Sequence, residues 1–164
     1  MMTTHRVWLY GDHVNTDVIF PGKYTYTLKT PEEIASKALE DLDPAFATGA
    51  QAGDVVVAGR NWGCGSSREQ AVTALKYAGV TLVIAASFNG LYYRNCIHQG
   101  VWPVVCPGLA QCVQTGDTIQ VDRENGVILV GGETFTIPPL PESVRAILAA
   151  GGLVPMLQAR FQGA

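Results

Sequence analysis

Charged side chains are scarce in this 164-residue chain: Asp, Glu, Lys and Arg make up 15% of it and the formal net charge is -3. A surface built to bind a polyanion is therefore not expected, and nucleic acid is excluded as a partner. No apolar run approaches the roughly 20 residues that span a bilayer, and the polar, basic opening "MMTTHR" lacks the apolar core of a signal peptide. No membrane association and a cytoplasmic location are the expectation. Cys64, Cys96, Cys106 and Cys112 contain no C-x-x-C pair, and His5, His13 and His98 are scattered. No metal site made by this chain alone is expected, and the cysteines read as buried thiols rather than disulfides.

Common phosphate and hydrolase motifs are missing too. The pattern G-x-x-x-x-G-K-[ST] is absent, as is G-x-S-x-G, and the run Gly63-Cys64-Gly65-Ser66-Ser67-Arg68 sets arginine where a dinucleotide fingerprint has its third glycine. The chain is nevertheless 48% hydrophobic. That suffices for the core of one domain over residues 1–164, without linkers or repeats.

Periodicity supplies the elements. "RVWLYG" (6–11) reads as a strand, running into the turn-prone "GDHVNTD" and the loop "PGKYTYT". "TPEEIASKALEDL" (30–42) predicts a helix with Thr30 as N-cap, Pro31 at the first helical position, and Ile34, Ala38 and Leu42 on one face. "VVVAG" and "VTLVIAA" are continuous apolar runs of the kind found in strands covered on both faces. Between them "SSREQAVTALKYAG" carries an apolar stripe and ends at Gly79, so residues 55–86 predict a βαβ unit and a parallel sheet. A helix closing at Gly100 and a strand or strand edge containing Pro103 follow. From Asp117 the alternation changes to that of antiparallel hairpins, before a last helical segment over residues 141–161.

The loop "GRNWGCGSSREQA" (59–71) concentrates the chemistry. Two capping boxes overlap in it, Ser66 with Glu69 and Ser67 with Gln70. With Ser67 as the cap, the Ser66 hydroxyl faces whatever lies over the helix N-terminus, and Gly63 and Gly65 allow a ligand close to the backbone. Unpaired amides and the Arg68 guanidinium, whose fork matches a carboxylate, predict an anion site with a serine beside it. The residues alone leave two uses open, substrate chemistry or simple capping with a solvated arginine.

"GCGSSREQA", together with "GDHVNTDVIFPGKY", "SFNGLYYRN" and the spacing among them, resembles the small subunit of 3-isopropylmalate dehydratase, in the aconitase superfamily. The resemblance covers essentially the whole chain. It implies an α/β fold of the swivelling β/β/α kind, with a parallel sheet and a smaller antiparallel sheet, and a large partner subunit that carries a [4Fe-4S] cluster. It implies Ser66 as the catalytic base, acting as an alkoxide, with Asp17 in the supporting acid–base network. Ser67 and Arg68 would hold a carboxylate of a hydroxy di- or tricarboxylate substrate. Substrate choice would fall to the loop holding Thr25, Tyr26 and Thr27, expected to close only at the subunit junction; homoaconitase-type chains often carry arginine at the position aligned with Tyr26. Tyrosine there favours a branched apolar substituent, hence isopropylmalate in leucine biosynthesis, while Lys23 and Lys29 leave homoaconitate, citrate or a methylated malate open. A non-catalytic dicarboxylate-binding module is the reading from another class. Cys64 reads as packing, Arg94 as a structural ion pair, and Trp62 and Trp102 as core or subunit-contact residues.

Overall fold

Seven strands, β1 (Met2–Leu9), β2 (Val55–Ala58), β3 (Leu82–Ala85), β4 (Trp102–Val105), β5 (Thr118–Asp122), β6 (Val127–Val130) and β7 (Glu133–Thr136), join in the order β4-β3-β2-β1-β5-β6-β7. The computed structural model describes residues 1–163. Seven helices accompany the strands: α1 (Thr16–Ile19), α2 (Pro31–Ala35), α3 (Pro44–Gly49), α4 (Gln70–Tyr77), α5 (Gly90–Gln99), α6 (Glu142–Ala149) and α7 (Leu153–Gln162). The parallel and antiparallel sheets expected as separate units are continuous, because β1 belongs to both. Its first part, Met2 to Arg6, pairs antiparallel with β5, and Val7 to Leu9 pair in parallel with β2.

Alternation of side chains across β2 explains its unbroken apolar run. Val55 and Val57 enter one core with Ile84 and Val104, and Val56 and Ala58 enter the other with Val83 and Ala85. The first core is closed by Ile119, Val121, Ile128 and Val130 of the antiparallel strands, which therefore fold over one face of the parallel half. Ala71, Val72, Ala74 and Leu75 of α4 and Tyr92 and Cys96 of α5 close the second. The result is three layers: antiparallel strands, parallel strands, helices. Each large side chain buried in this way contributes about 1.5–3 kcal/mol, and Thr118 and Gln120, alternating with Ile119 and Val121, stay exposed on the outer face.

The βαβ unit β2-α4-β3 and the α5 helix ending on Gly100, at φ 77°, agree with the sequence. Pro103 lies in β4, at the sheet edge, where a missing amide donor is tolerated. Three helices depart from expectation. Thr30 does cap α2 through a capping box with Glu33, but the helix stops at Ala35 and the chain turns at Leu39, φ 57°, whose amide bonds the Ile19 carbonyl. Ile34 and Ala38 are buried as the stripe predicts, whereas Leu42 is exposed. The last helical segment is broken into α6 and α7 at Gly151 and Gly152, both with positive φ. Helix α3, in a segment to which the sequence assigned no element, starts from Asp43 as N-cap and Pro44 at its first position.

Candidate active site

Two loops meet beyond the C-terminal ends of β1 and β2. The amide of His13 bonds the Arg60 carbonyl, Gly63 bonds Val14, and Thr16 bonds Cys64, so residues 12–16 run alongside 60–64. Asp12 fixes the entrance by accepting from the Arg60 amide at 2.6 Å and from its guanidinium at 3.0 Å. Those bonds, the backbone one foremost, hold the Asp12 carboxyl below its ordinary range. A Cβ on Gly59 would stand 2.0 Å from Asp12 Oδ1, which is why glycine precedes Arg60.

Beyond this ladder the 59–71 loop is held by side chains rather than by its own helix. Thr16, 2% exposed, donates from Oγ1 to the Ser66 carbonyl at 2.6 Å. Asn95 of α5 donates to Ser67 Oγ at 3.2 Å, and Gln99 of the same helix bonds Glu69. Helix α4 begins at Gln70 with Glu69, not a serine, at the cap position and no side-chain capping bond. Both capping boxes are therefore corrected: the tertiary bonds from Thr16 and Asn95 hold the two serines ahead of the helix start. Ser66 and Ser67 are exposed. Among the described residues the Ser66 hydroxyl and the amides of Ser66, Ser67 and Arg68 make no hydrogen bond.

Arg68 also differs from a solvated side chain. Its side chain is 17% exposed and its Nη2 pairs with Oδ1 of Asp17, which is 63% exposed and lies in the first turn of α1. Asn15 caps that four-residue helix by accepting from the Val18 amide at 3.0 Å. Gly22 allows the pair to form: a Cβ there would lie 2.6 Å from Arg68 Nη1 and 2.9 Å from Asp17 Oδ1. Thus Asp17, Gly22 and Arg68 converge, bringing the segment that carries Thr25, Tyr26 and Thr27 to within a few residues of the arginine. Tyr26 is 86% exposed; Tyr24 instead packs on the core and donates to Glu40 at 3.0 Å. The Lys23 ammonium lies 5.1 Å from the centre of the Tyr24 ring.

Other assignments are refined. Gly63, φ 78°, approaches a side chain rather than a ligand, since a Cβ would be 2.2 Å from Tyr92 Cγ. Trp62 is fully buried, and Trp102 lies on the edge strand. Arg94 is exposed and forms no ion pair among the described residues, so the expected structural pair is absent. Cys96 and Cys106 are buried thiols, but Cys64 is half-buried and Cys112 exposed. Burial pushes the Cys96 thiol up and keeps it protonated. Among the described residues no group of three or more His, Cys, Asp or Glu side chains is placed to hold a metal, so an iron–sulfur cluster finds no ligand set there. No helix among them is long and apolar enough to cross a membrane.

Sequence reasoning missed Thr16, Gly22 and Asn95. Each lies inside one of the recognised motifs, but its role depends on a partner between 28 and 50 residues away.

A three-layer β/β/α domain with an exposed serine loop beside an arginine defines a swivelling domain of the aconitase kind. Residues 12–108 match the family described as the aconitase C-terminal domain. The chain is 44% identical to 3-isopropylmalate dehydratase small subunit 1 of Methanopyrus kandleri, over 93% of this chain and 91% of that one. It is 43% identical to the isopropylmalate/citramalate isomerase small subunit of Methanocaldococcus jannaschii, covering 95% and 94% of the two chains. Identity to the 2,3-dimethylmalate dehydratase small subunit of Eubacterium barkeri is 42%, covering 97% and 98%. A crystal structure of 3-isopropylmalate dehydratase from M. jannaschii superposes with a TM-score of 0.91 at 40% identity, covering 99% of this chain and 96% of the other. The chain belongs to the aconitase C-terminal domain family and, within it, to the small subunits of the isopropylmalate and citramalate type of dehydratase.

Proposed function

We propose that this chain is the small subunit of a hydro-lyase that interconverts 2-isopropylmalate and 3-isopropylmalate by dehydration and rehydration, and that it acts as one swivelling domain docked on a large subunit. The observation that carries the reading is the Ser66 hydroxyl. It is exposed, free of any hydrogen bond among the described residues, and set among the unpaired amides of residues 66–68 beside a guanidinium.

A serine hydroxyl is too weakly acidic to serve as a base unless positive charge and fixed donors stabilise its alkoxide. The Thr16 bond to the Ser66 carbonyl fixes the peptide that carries the Ser67 amide, and the unpaired amides of residues 66–68 supply the donors expected of a helix N-terminus. Of the Arg68 donors only Nη2 is engaged by Asp17, which leaves the rest of the fork for a substrate carboxylate. Ser67 Oγ, held by Asn95, is a second contact for that carboxylate. In the forward direction the Ser66 alkoxide takes the carbon-bound proton as the neighbouring carbon loses its hydroxyl. That hydroxyl leaves as water with a proton from the acid–base network at the subunit junction, the partner's cluster supplying Lewis acidity when bound. In the reverse direction it returns the proton, to the other carbon when isomerisation is completed. Asp17 orients Arg68 and belongs to the acid–base network at the junction. The [4Fe-4S] cluster is assigned to the large subunit, because this chain's described residues offer no ligand set.

For substrate choice, Tyr26 presents an aromatic surface without charge, and Lys23 is occupied by the Tyr24 ring. An extra distal carboxylate would then find no cation at position 26 and only the exposed Lys29 further along the segment, which favours an apolar substituent. Citramalate and dimethylmalate remain the nearest alternatives, since relatives bear those names.

The test is reconstitution with the large subunit encoded by the same organism. Ser66→Ala is expected to abolish turnover of isopropylmalate while leaving the two subunits associated. Unchanged turnover would reduce the chain to a binding module. Turnover of homoaconitate with none of isopropylmalate would overturn the substrate assignment.

A further inference from the structure

A cavity of about 320 Å³ lies away from the serine loop, where the open edge of β4 meets the β5–β6 turn, residues 137–140 and α6. None of its lining residues comes from 12–28 or 59–71. Its size is that of a small-ligand site. Two arginines, Arg123 and Arg145, line it, and neither forms an ion pair among the described residues. The Arg123 guanidinium lies over the Trp102 ring, 4.8 Å from its centre, and its Nε is buried without a hydrogen-bond partner. A buried donor left unpaired in a native structure calls for an acceptor that only a ligand or solvent can supply. The one nearby acid that lines the cavity, Glu124, is 82% exposed and turned to the N-terminal ammonium at 3.2 Å. The remaining wall is mixed: Val104, Ile137 and Leu140 present hydrocarbon, while Asn125 and Tyr93 add polar groups.

We propose that this cavity is a second ligand site, one that takes a small aliphatic carboxylate, with the carboxylate on Arg123 and Arg145 and the hydrocarbon against Val104, Ile137 and Leu140. The Trp102 ring beneath it restrains the Arg123 guanidinium, whose planar fork suits a carboxylate. An inorganic anion would satisfy the arginines but leave the apolar wall wet. An uncharged hydrocarbon would cover the wall but leave Arg123 without its acceptor. Burial without an acidic neighbour also holds the Arg123 guanidinium below its ordinary range, a penalty that a bound carboxylate removes.

The probes are 3-methylbutanoate, the neutral 3-methylbutanol of the same shape, acetate and inorganic phosphate. Each is titrated into the full-length chain with side-chain NMR of the Trp102 indole and the Arg123 Nε–H as readout. Saturable shifts with 3-methylbutanoate are expected, at least ten-fold tighter than with the alcohol, acetate or phosphate. Arg145→Gln, at an exposed position, is expected to weaken binding at least three-fold, and Arg123→Gln at least ten-fold, with Ser66-dependent turnover of the reconstituted pair unchanged when no probe is added. If Arg123→Gln does not fold, Arg145→Gln and the acid-to-alcohol ratio decide. No saturable shift, equal affinity for acid and alcohol, or wild-type affinity in Arg145→Gln would overturn the proposal. Phosphate binding as tightly as 3-methylbutanoate would reduce the cavity to a general anion site and overturn it as well.

Discussion

Thr16 Oγ1 reaches across 50 residues of chain to donate to the Ser66 carbonyl at 2.6 Å. The bond fixes the peptide on which the proposed base sits, and Thr16 is itself buried. Thr16→Val keeps the volume and removes the donor. A stability loss of about 1 kcal/mol is expected in urea unfolding. Turnover of the reconstituted enzyme is expected to fall about ten-fold, equivalent to roughly 1.4 kcal/mol of transition-state stabilisation, with subunit affinity retained. A stability loss without any change in kcat would make Thr16 a purely structural residue.

Two glycines of the site should respond in opposite ways. In Gly63→Ala the new methyl meets the ring of Tyr92, which is fully buried, and the backbone has φ 78°. Destabilisation of about 3 kcal/mol is expected. In Gly22→Ala the obstructing atoms are the ends of Arg68 and Asp17, which can move. There the melting temperature should stay within a few degrees while turnover drops at least ten-fold. Equal melting temperatures for the two variants would contradict this division.

Asp54 ties β1 to the start of β2: it accepts from Trp8 Nε1 at 2.8 Å, from Arg6 Nη2 at 2.6 Å and from the Gln51 amide at 2.9 Å. Burial by itself would push its carboxyl up, but these donors outweigh burial and hold it below the ordinary carboxylate range. Because the folded value is the lower one, the stabilisation is complete above the unfolded value near about 3.9 and is lost as pH falls through the folded value. Asp54→Asn is expected to cost about 2 kcal/mol at pH 7 and to flatten the acid limb. The urea midpoints of wild type and variant should converge toward pH 2. A constant gap from pH 7 to pH 2 would show that the carboxylate charge contributes nothing.

Tyr26 is exposed and close in sequence to the Gly22 turn on which Arg68 packs. Under the proposed function, Tyr26→Arg offers a cation to a distal carboxylate. The ratio of kcat/KM for homoaconitate over isopropylmalate is expected to rise at least ten-fold. An unchanged ratio would move the specificity determinant off this loop.

The central layer was legible because its chemistry is local. Runs such as "VVVAG" admit only a strand buried on both faces, and Gly100 stops α5 by adopting a left-handed conformation open to glycine. The serine loop was misread for the converse reason. Its capping boxes satisfy the local rule, yet Thr16, Asn95 and Gln99, each from a distant segment, hold it away from the helix start. Similarly, the apolar stripe of the segment after Thr30 stays buried through Ala38, but the helix itself ends at Ala35 and the bond from Leu39 to the Ile19 carbonyl directs the chain away from its axis. Helix α3 was readable from the Asp43–Pro44 pair, a cap and first-position signature obscured by the glycines and alanines after it.

Strand β1 pairs through three residues with Val55 to Val57 and through five with Thr118 to Asp122. A chain leaving the ribosome can satisfy the first edge early, whereas the second stays open until residues 118–122 have followed. An uncovered strand edge recruits whatever extended peptide it meets. The nascent protein thus has a prolonged interval in which its first strand is vulnerable to mispairing, and synthesis speed through the central helices sets how long that interval lasts.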